Sequence, residues 1–171
     1  VRVVIELAGV PRGKGTGRAF AIKVADKVTG QQKTSARVFT DSRTRTYEAQ
    51  LRAAGEKAMA GRLPIEGPVV VVIEARFPIP PSWAKKKQAA ALAGIVRPTV
   101  KPDWENLGKT CDGLNQIIWK DDSQVVDGRV IKVYSERPGF TVIVETFEPP
   151  VPVTARGITR LTYHNRAVIR V

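Results

Sequence analysis

Six of the sixteen carboxylates in the chain fall between Lys101 and Asp127: Asp103, Glu105, Asp112, Asp121, Asp122 and Asp127, interrupted by Lys101, Lys109 and Lys120. The 171 residues together carry a formal charge of +12. A field of that sign draws polyanions, and an acid cluster kept inside it is suited to hold a divalent cation against phosphate. The combination points to a metal-dependent enzyme acting on nucleic acid.

Other chemistries lack their parts. Cys111 is the only cysteine and His164 the only histidine. That excludes an internal disulfide and a multi-cysteine zinc site, and argues against a His-based metal site or a Ser-His-Asp triad. A general base must then be a carboxylate, a lysine or a metal-bound water. Basic charge is concentrated elsewhere: twelve Lys/Arg against four acids from Pro11 to Arg62, and four Arg with no acid from Pro149 to Val171. At a pI near 10.3 this distribution favours nucleic-acid contact. The Gly-rich loop Gly9 to Gly17 lacks the spacing and terminal Lys-Ser/Thr of an ATP-type phosphate loop. Its Arg12 and Lys14, with Arg18 just beyond, can still follow a phosphate chain, as can Lys101.

Positioning these groups requires a folded scaffold, and a hydrophobic content of 43% supports one domain with one core. No apolar run approaches the roughly 18 residues of a membrane span, and Val1 to Ala8 lacks the apolar centre of a secretory signal, so a cytoplasmic setting is expected. Strands are expected at Val1 to Ala8, at Ala19 to Val24 and Ala36 to Thr40 about a turn at Thr29-Gly30, and at Pro68 to Phe77, whose apolar run Val69 to Ile73 suits a central position. Asp41 or Ser42 caps a helix to about Ala60, and Ser82 a short basic helix to Ala93. Lys101-Pro102 imposes an extended approach to Asp103, the N-cap of a helix expected to reach about Asn115. Gln124 to Ser135 alternates as a strand, and Phe140 to Phe147 is expected to pair with it across Arg137-Pro138-Gly139. The predicted class is α+β, a small mixed sheet packed with two to three helices in one domain over 1–148. A prolyl linker and basic tail over 149–171 follow, with a further strand expected at Ala167 to Val171.

At about 100° per residue, Leu107, Cys111, Leu114 and Ile118 fall within roughly 60° of one another, a buried stripe. Glu105, Lys109 and Asp112 share a similar arc opposite. Such a line of acid, base and acid is by itself compatible with an ordinary i,i+4 pair on a solvated helix. The adjacent Asp121 and Asp122 ahead of a strand add to it, since a turn can bring one of them across to the helix start.

Lys101-Pro-Asp-Trp-Glu-Asn-Leu-Gly-Lys109, Asp112-Gly-Leu-Asn115 and Lys120-Asp-Asp-Ser-Gln-Val-Val126 closely resemble the RusA family of Holliday junction resolvases, with Gly9 to Lys14 and Lys132 to Glu136 as weaker matches. The resemblance covers about residues 1–148. It implies a RusA-like fold and a homodimeric, Mg²⁺-dependent endonuclease, commonly phage-encoded, that cuts four-way DNA junctions by paired symmetric nicks. Carried over by position, Asp103, Glu105 and Asp122 would be the metal-binding acids and Lys109 the essential basic residue, with Asp121 an auxiliary candidate. Glu105 stands where the family has Asp. Asp112 follows Lys109 by three residues where the family spaces that pair by four, so it is left outside the ligand set. Two other readings stay open: a non-catalytic basic DNA-binding protein with a structural acidic cluster, and a metal nuclease preferring flaps or forks.

Overall fold

The computed structural model describes residues 1–15, 18–25, 32–39, 41–149, 152–155 and 158–161. Four strands form the central sheet: β1 (Arg2–Ala8), β4 (Val69–Pro78), β5 (Val125–Ser135) and β6 (Gly139–Thr146). Their order is β1-β6-β4-β5, with β4 parallel to β5 and antiparallel to β6. Strands β2 (Arg18–Ala25) and β3 (Gln32–Phe39) make a separate antiparallel pair, as do β7 (Pro152–Ala155) and β8 (Ile158–Leu161). The helices are α1 (Ser42–Met59), α2 (Lys85–Leu92) and α3 (Trp104–Lys109). The expected class, a mixed sheet with three helices, is what the chain forms.

One face of the sheet carries the core. Val3 and Ile5 of β1, Val71, Ile73, Ala75 and Phe77 of β4, and Phe140, Val142 and Val144 of β6 are buried, as alternation along half-covered strands requires. Helix α1 lies on this face through Leu51 and Tyr47, whose ring meets Phe140 edge-on at 5.9 Å. Asp41 caps α1 by accepting from Thr44 N–H at 3.3 Å, and Ala60 and Gly61, both at positive φ, end it. On the same face Gly108 of α3 sits over Val130 of β5, and Trp83 ahead of α2 packs edge-on against Tyr134.

Three expectations need correction. Strand β6 does not pair with β5; β4 lies between them. The link Glu136-Arg137-Pro138 spans about 13 Å when extended, enough to step over the end of β4 across two strand spacings of about 4.8 Å. The apolar β4, buried at most positions, gains more from two neighbours than a β5-β6 hairpin would. Second, α2 starts at Lys85 with Ala84 as its cap, and Ser82 caps nothing. The chain is held there instead by Gln88 donating to Trp83 O at 2.7 Å, with Lys87 Nζ over the indole at 3.8 Å. Third, the helix after Asp103 is α only to Lys109 and tightens to a 3₁₀ segment over Thr110–Leu114. The β7–β8 hairpin was not anticipated. The expected turn at Thr29-Gly30 and strand at 167–171 lie outside the described residues.

Candidate active site

Asp103, Glu105 and Lys109 are all exposed, and each is placed by α3. Three contacts fix this short helix. Leu107 is fully buried beneath it. Lys132 of β5 reaches to its entrance, donating from Nζ to Val100 O and, at 3.0 Å, to Pro102 O. Burial lowers the Lys132 pKa, and the charge of Asp103 partly restores it. Asp103 O accepts from Leu107 N–H at 3.1 Å, while the Asp103 carboxylate makes no capping bond and is left for other partners.

The third contact comes from the Gly-rich loop, nearly a hundred residues away in sequence. Lys14 N–H donates to Asn106 O at 2.8 Å and to Thr110 Oγ1 at 3.0 Å. The buried Thr110 hydroxyl has one proton to give, to Asn106 O at 3.0 Å or Arg12 O at 3.1 Å. Gly13 lies so close that a Cβ there would come within 2.7 Å of Pro102 Cβ and 2.9 Å of Asn106 Cβ. A side chain at this position would push the loop off the helix.

Lys14, expected on the DNA face, is engaged within the chain: its Nζ lies 3.0 Å from Asp112 Oδ2 and 3.3 Å from Glu48 Oε1. Burial opposes its charge, but hydrogen bonds and attraction from Asp112 and Glu48 outweigh that and raise its pKa. Asp112 thus has a partner other than a metal. Arg12 and Lys101 are exposed; the side chain of Arg18 lies outside the described residues.

Asp122 opens a 3₁₀ turn, Asp122–Gln124, held from two sides. Asp121 Oδ1 accepts from Ser123 N–H at 2.9 Å, and hydrogen bonding from the Ser123 side chain, then from this N–H, lowers the Asp121 pKa. Gln124 Oε1 accepts from Lys120 N–H at 2.7 Å and Asp121 N–H at 3.0 Å, and its Nε2 donates to Ile65 O at 3.0 Å and Gly67 O at 2.6 Å. Of the Asp pair, the first therefore caps the turn and the second projects from it. Trp119, buried at 2% exposure, donates its indole N–H to Asp122 Oδ1 at 2.9 Å. Cys111 is buried in the same region, and burial, then the charges of Asp112 and Asp122, push its thiol pKa far up.

In donor chemistry the acids suit a hard divalent cation: Asp103, Glu105 and Asp122 offer exposed carboxylate oxygens, and the nearby thiol is sealed and protonated. Glu105 pairs with Lys109 one turn on. Among the described residues, no group of three His, Cys, Asp or Glu side chains stands close enough to hold an ion. The sequence profile of the family described as "Endodeoxyribonuclease RusA" matches residues 23–145.

The chain belongs to the RusA family.

RusA proteins are DNA endonucleases, hydrolases of the phosphodiester backbone, and the match takes in α3 and the Asp122 turn. The chain is also 47% identical over 83 residues to "Uncharacterized protein YqaN" of Bacillus subtilis (strain 168); this covers 47% of the chain and 58% of that protein, less than two thirds of its length. The sequence reading gave no role to several residues that shape this candidate site: Gly13, Thr110, Trp119, Gln124 and Lys132. For Trp119 the available signal was its spacing three residues before Asp122, which puts both on one side of a tight turn.

Proposed function

We propose that this protein is a Mg²⁺-dependent, structure-specific endodeoxyribonuclease that resolves four-way DNA junctions by paired symmetric nicks as a homodimer. Residues 1–148 form its nuclease domain, and 149–171 a basic tail. The carrying observation is the family match across a helix that presents Asp103, Glu105 and Lys109 to solvent. Asp103, Glu105 and Asp122 would hold the ion, which when bound supplies Lewis-acid polarisation of the phosphate and a more acidic water. Glu105 keeps the Lys109 ammonium beside the acids. There it stabilises charge gathering on the phosphate or the departing oxygen. Trp119 holds one Asp122 oxygen, leaving the other for a ligand. The Gly13–Asn106 contact and the Lys14 bonds keep α3 seated, which fixes the backbone from which Asp103 and Glu105 would reach the ion, while the three carboxylates would close on it only as it binds. Arg12, Arg18 and Lys101 would contact flanking backbone, making affinity fall steeply with salt.

With no membrane partner proposed, action in the cytoplasm of a bacterial or phage-infected cell accords with the lack, among the described residues, of any helix long and apolar enough to cross a bilayer. The test is a synthetic four-way junction incubated with wild type and Asp122→Asn, with and without Mg²⁺, beside flap and fork substrates. Paired nicks by wild type with metal alone support the proposal. Nicking by Asp122→Asn at an undiminished rate removes that residue from the site, and faster cutting of flaps or forks moves the substrate.

A further inference from the structure

Trp104 stands between Asp103 and Glu105 at the start of α3 and is 62% exposed. Among the aromatic side chains that the structure describes it is the one so placed. Tyr47, Phe77, Trp119, Tyr134 and Phe140 are buried, and Trp83 and Phe147 half-buried. Folding does not ask for it. The register of α3 is set by Leu107 in the core and by Gly108 over Val130, and a small polar residue at position 104 would serve that register equally. An indole is among the side chains with most apolar surface to hide. Its chain neighbours here are two carboxylates, with Lys109 one turn on and exposed Lys101 just upstream. A flat π-face amid alternating charge suits a ligand that is itself a flat ring on a phosphate chain.

We propose that Trp104 is a base-stacking residue. It takes the face of a nucleobase left unstacked at a DNA branch point and so selects which phosphate reaches the acidic helix. This rests on the nuclease reading above. Every base offers a π-face, so stacking is tolerant of sequence, but in a continuous duplex both faces are already covered. A free indole finds its partner only where the stack is interrupted, as at a junction. Trp104 thereby discriminates DNA structure, a task to which the acids themselves are blind.

The test is binding with metal withheld, so that cleavage plays no part. Four-way junctions carrying 2-aminopurine at the branch point, and matching duplexes, are titrated with wild type, Trp104→Phe and Trp104→Ala, each checked for folding by circular dichroism. Stacking on an indole dims 2-aminopurine. Wild type is expected to dim the probe and prefer junction over duplex, and Trp104→Phe to keep most of both. Trp104→Ala is expected to leave the probe bright and lose about ten-fold in junction affinity, with duplex affinity within two-fold of wild type. An unchanged probe signal and an unchanged junction-to-duplex ratio for Trp104→Ala would overturn the proposal. So would conversion of a dimer to a monomer by Trp104→Ala in sedimentation, which would give the indole to a second copy of the chain. Failure of wild type to nick junctions in Mg²⁺ sinks the nuclease reading instead, and is seen in a separate assay.

Discussion

The buried indole of Trp119 donates to Asp122 Oδ1 at 2.9 Å, so a core side chain aims a carboxylate at the surface. The bond joins two roles of one segment. Trp119 also accepts at its backbone O from Gln116 N–H at 2.8 Å and forms a bridge with Ile65, tying the turn to the sheet side of the core. Trp119→Phe keeps most of the apolar volume and removes the donor. The expected loss of stability is about 1–2 kcal/mol by urea unfolding. Junction cleavage should fall further, about ten-fold or more, because Asp122 is no longer aimed. A variant with full activity would show that the bond serves the fold alone.

Gly13→Ala tests the loop clasp. The new methyl would meet Pro102 Cβ and Asn106 Cβ, neither of which is the free end of a flexible side chain, so backbone must move. Overpacking of this kind costs about 1–3 kcal/mol. Because the backbone that moves carries Asp103 and Glu105, kcat should fall by roughly ten-fold or more at temperatures where the variant remains folded. Unchanged thermal stability would mean that the loop is not seated on α3 in solution.

The Lys14 ion pairs are half-buried, and Glu48 is left without its cation if they are broken. Lys14→Met is expected to destabilise by about 1–2 kcal/mol, more than a surface pair is worth. In a double-mutant cycle with Asp112→Asn, the coupling should be positive and about 0.5–1 kcal/mol. If Lys14 instead contacts DNA alone, the loss will appear in the salt dependence of binding and not in unfolding.

Tyr47 supplies the pH signature. Burial pushes its phenol up from 10.0 to about 12. Between those values the unfolded chain has released a proton that the folded chain still holds, so stability falls as pH rises. Below pH 10 Tyr47 contributes no pH dependence. Urea midpoints of wild type should decline more steeply between pH 10 and pH 12 than those of Tyr47→Phe, by up to about 2 kcal/mol over the window. Parallel curves would show the hydroxyl to be solvated.

Local patterns in the sequence sufficed for much of this architecture. The periodicity of Tyr47, Leu51, Ala54 and Ala58, the Asp41 cap and the unbroken apolar run of β4 each depend on neighbouring residues alone, and each led to the element observed. The stripe Leu107, Cys111, Leu114 and Ile118 is buried as the helical wheel implies, although the backbone tightens beneath its second half. What the sequence hid was distant in sequence or competitive in space. The insertion of β4 between β5 and β6 depends on which pairing buries more surface, and a short polar link does not reveal that. The clasp joining Gly13 and Lys14 to Asn106, Thr110 and Asp112 closes across the whole sheet, and the glycine responsible sits in a loop that reads as mobile. The roles of Asp121 and Asp122 differ because of one capping bond and one indole, while their side chains are identical.

The most direct measurement is Mn²⁺ binding, followed by electron paramagnetic resonance, to the protein–junction complex for wild type, Asp103→Asn, Glu105→Gln and Asp122→Asn. If the three carboxylates grip a common ion, each substitution should weaken binding by about ten-fold or more while leaving junction affinity in EDTA unchanged. Wild-type Mn²⁺ affinity in Asp122→Asn, with the fold intact, would contradict the shared site.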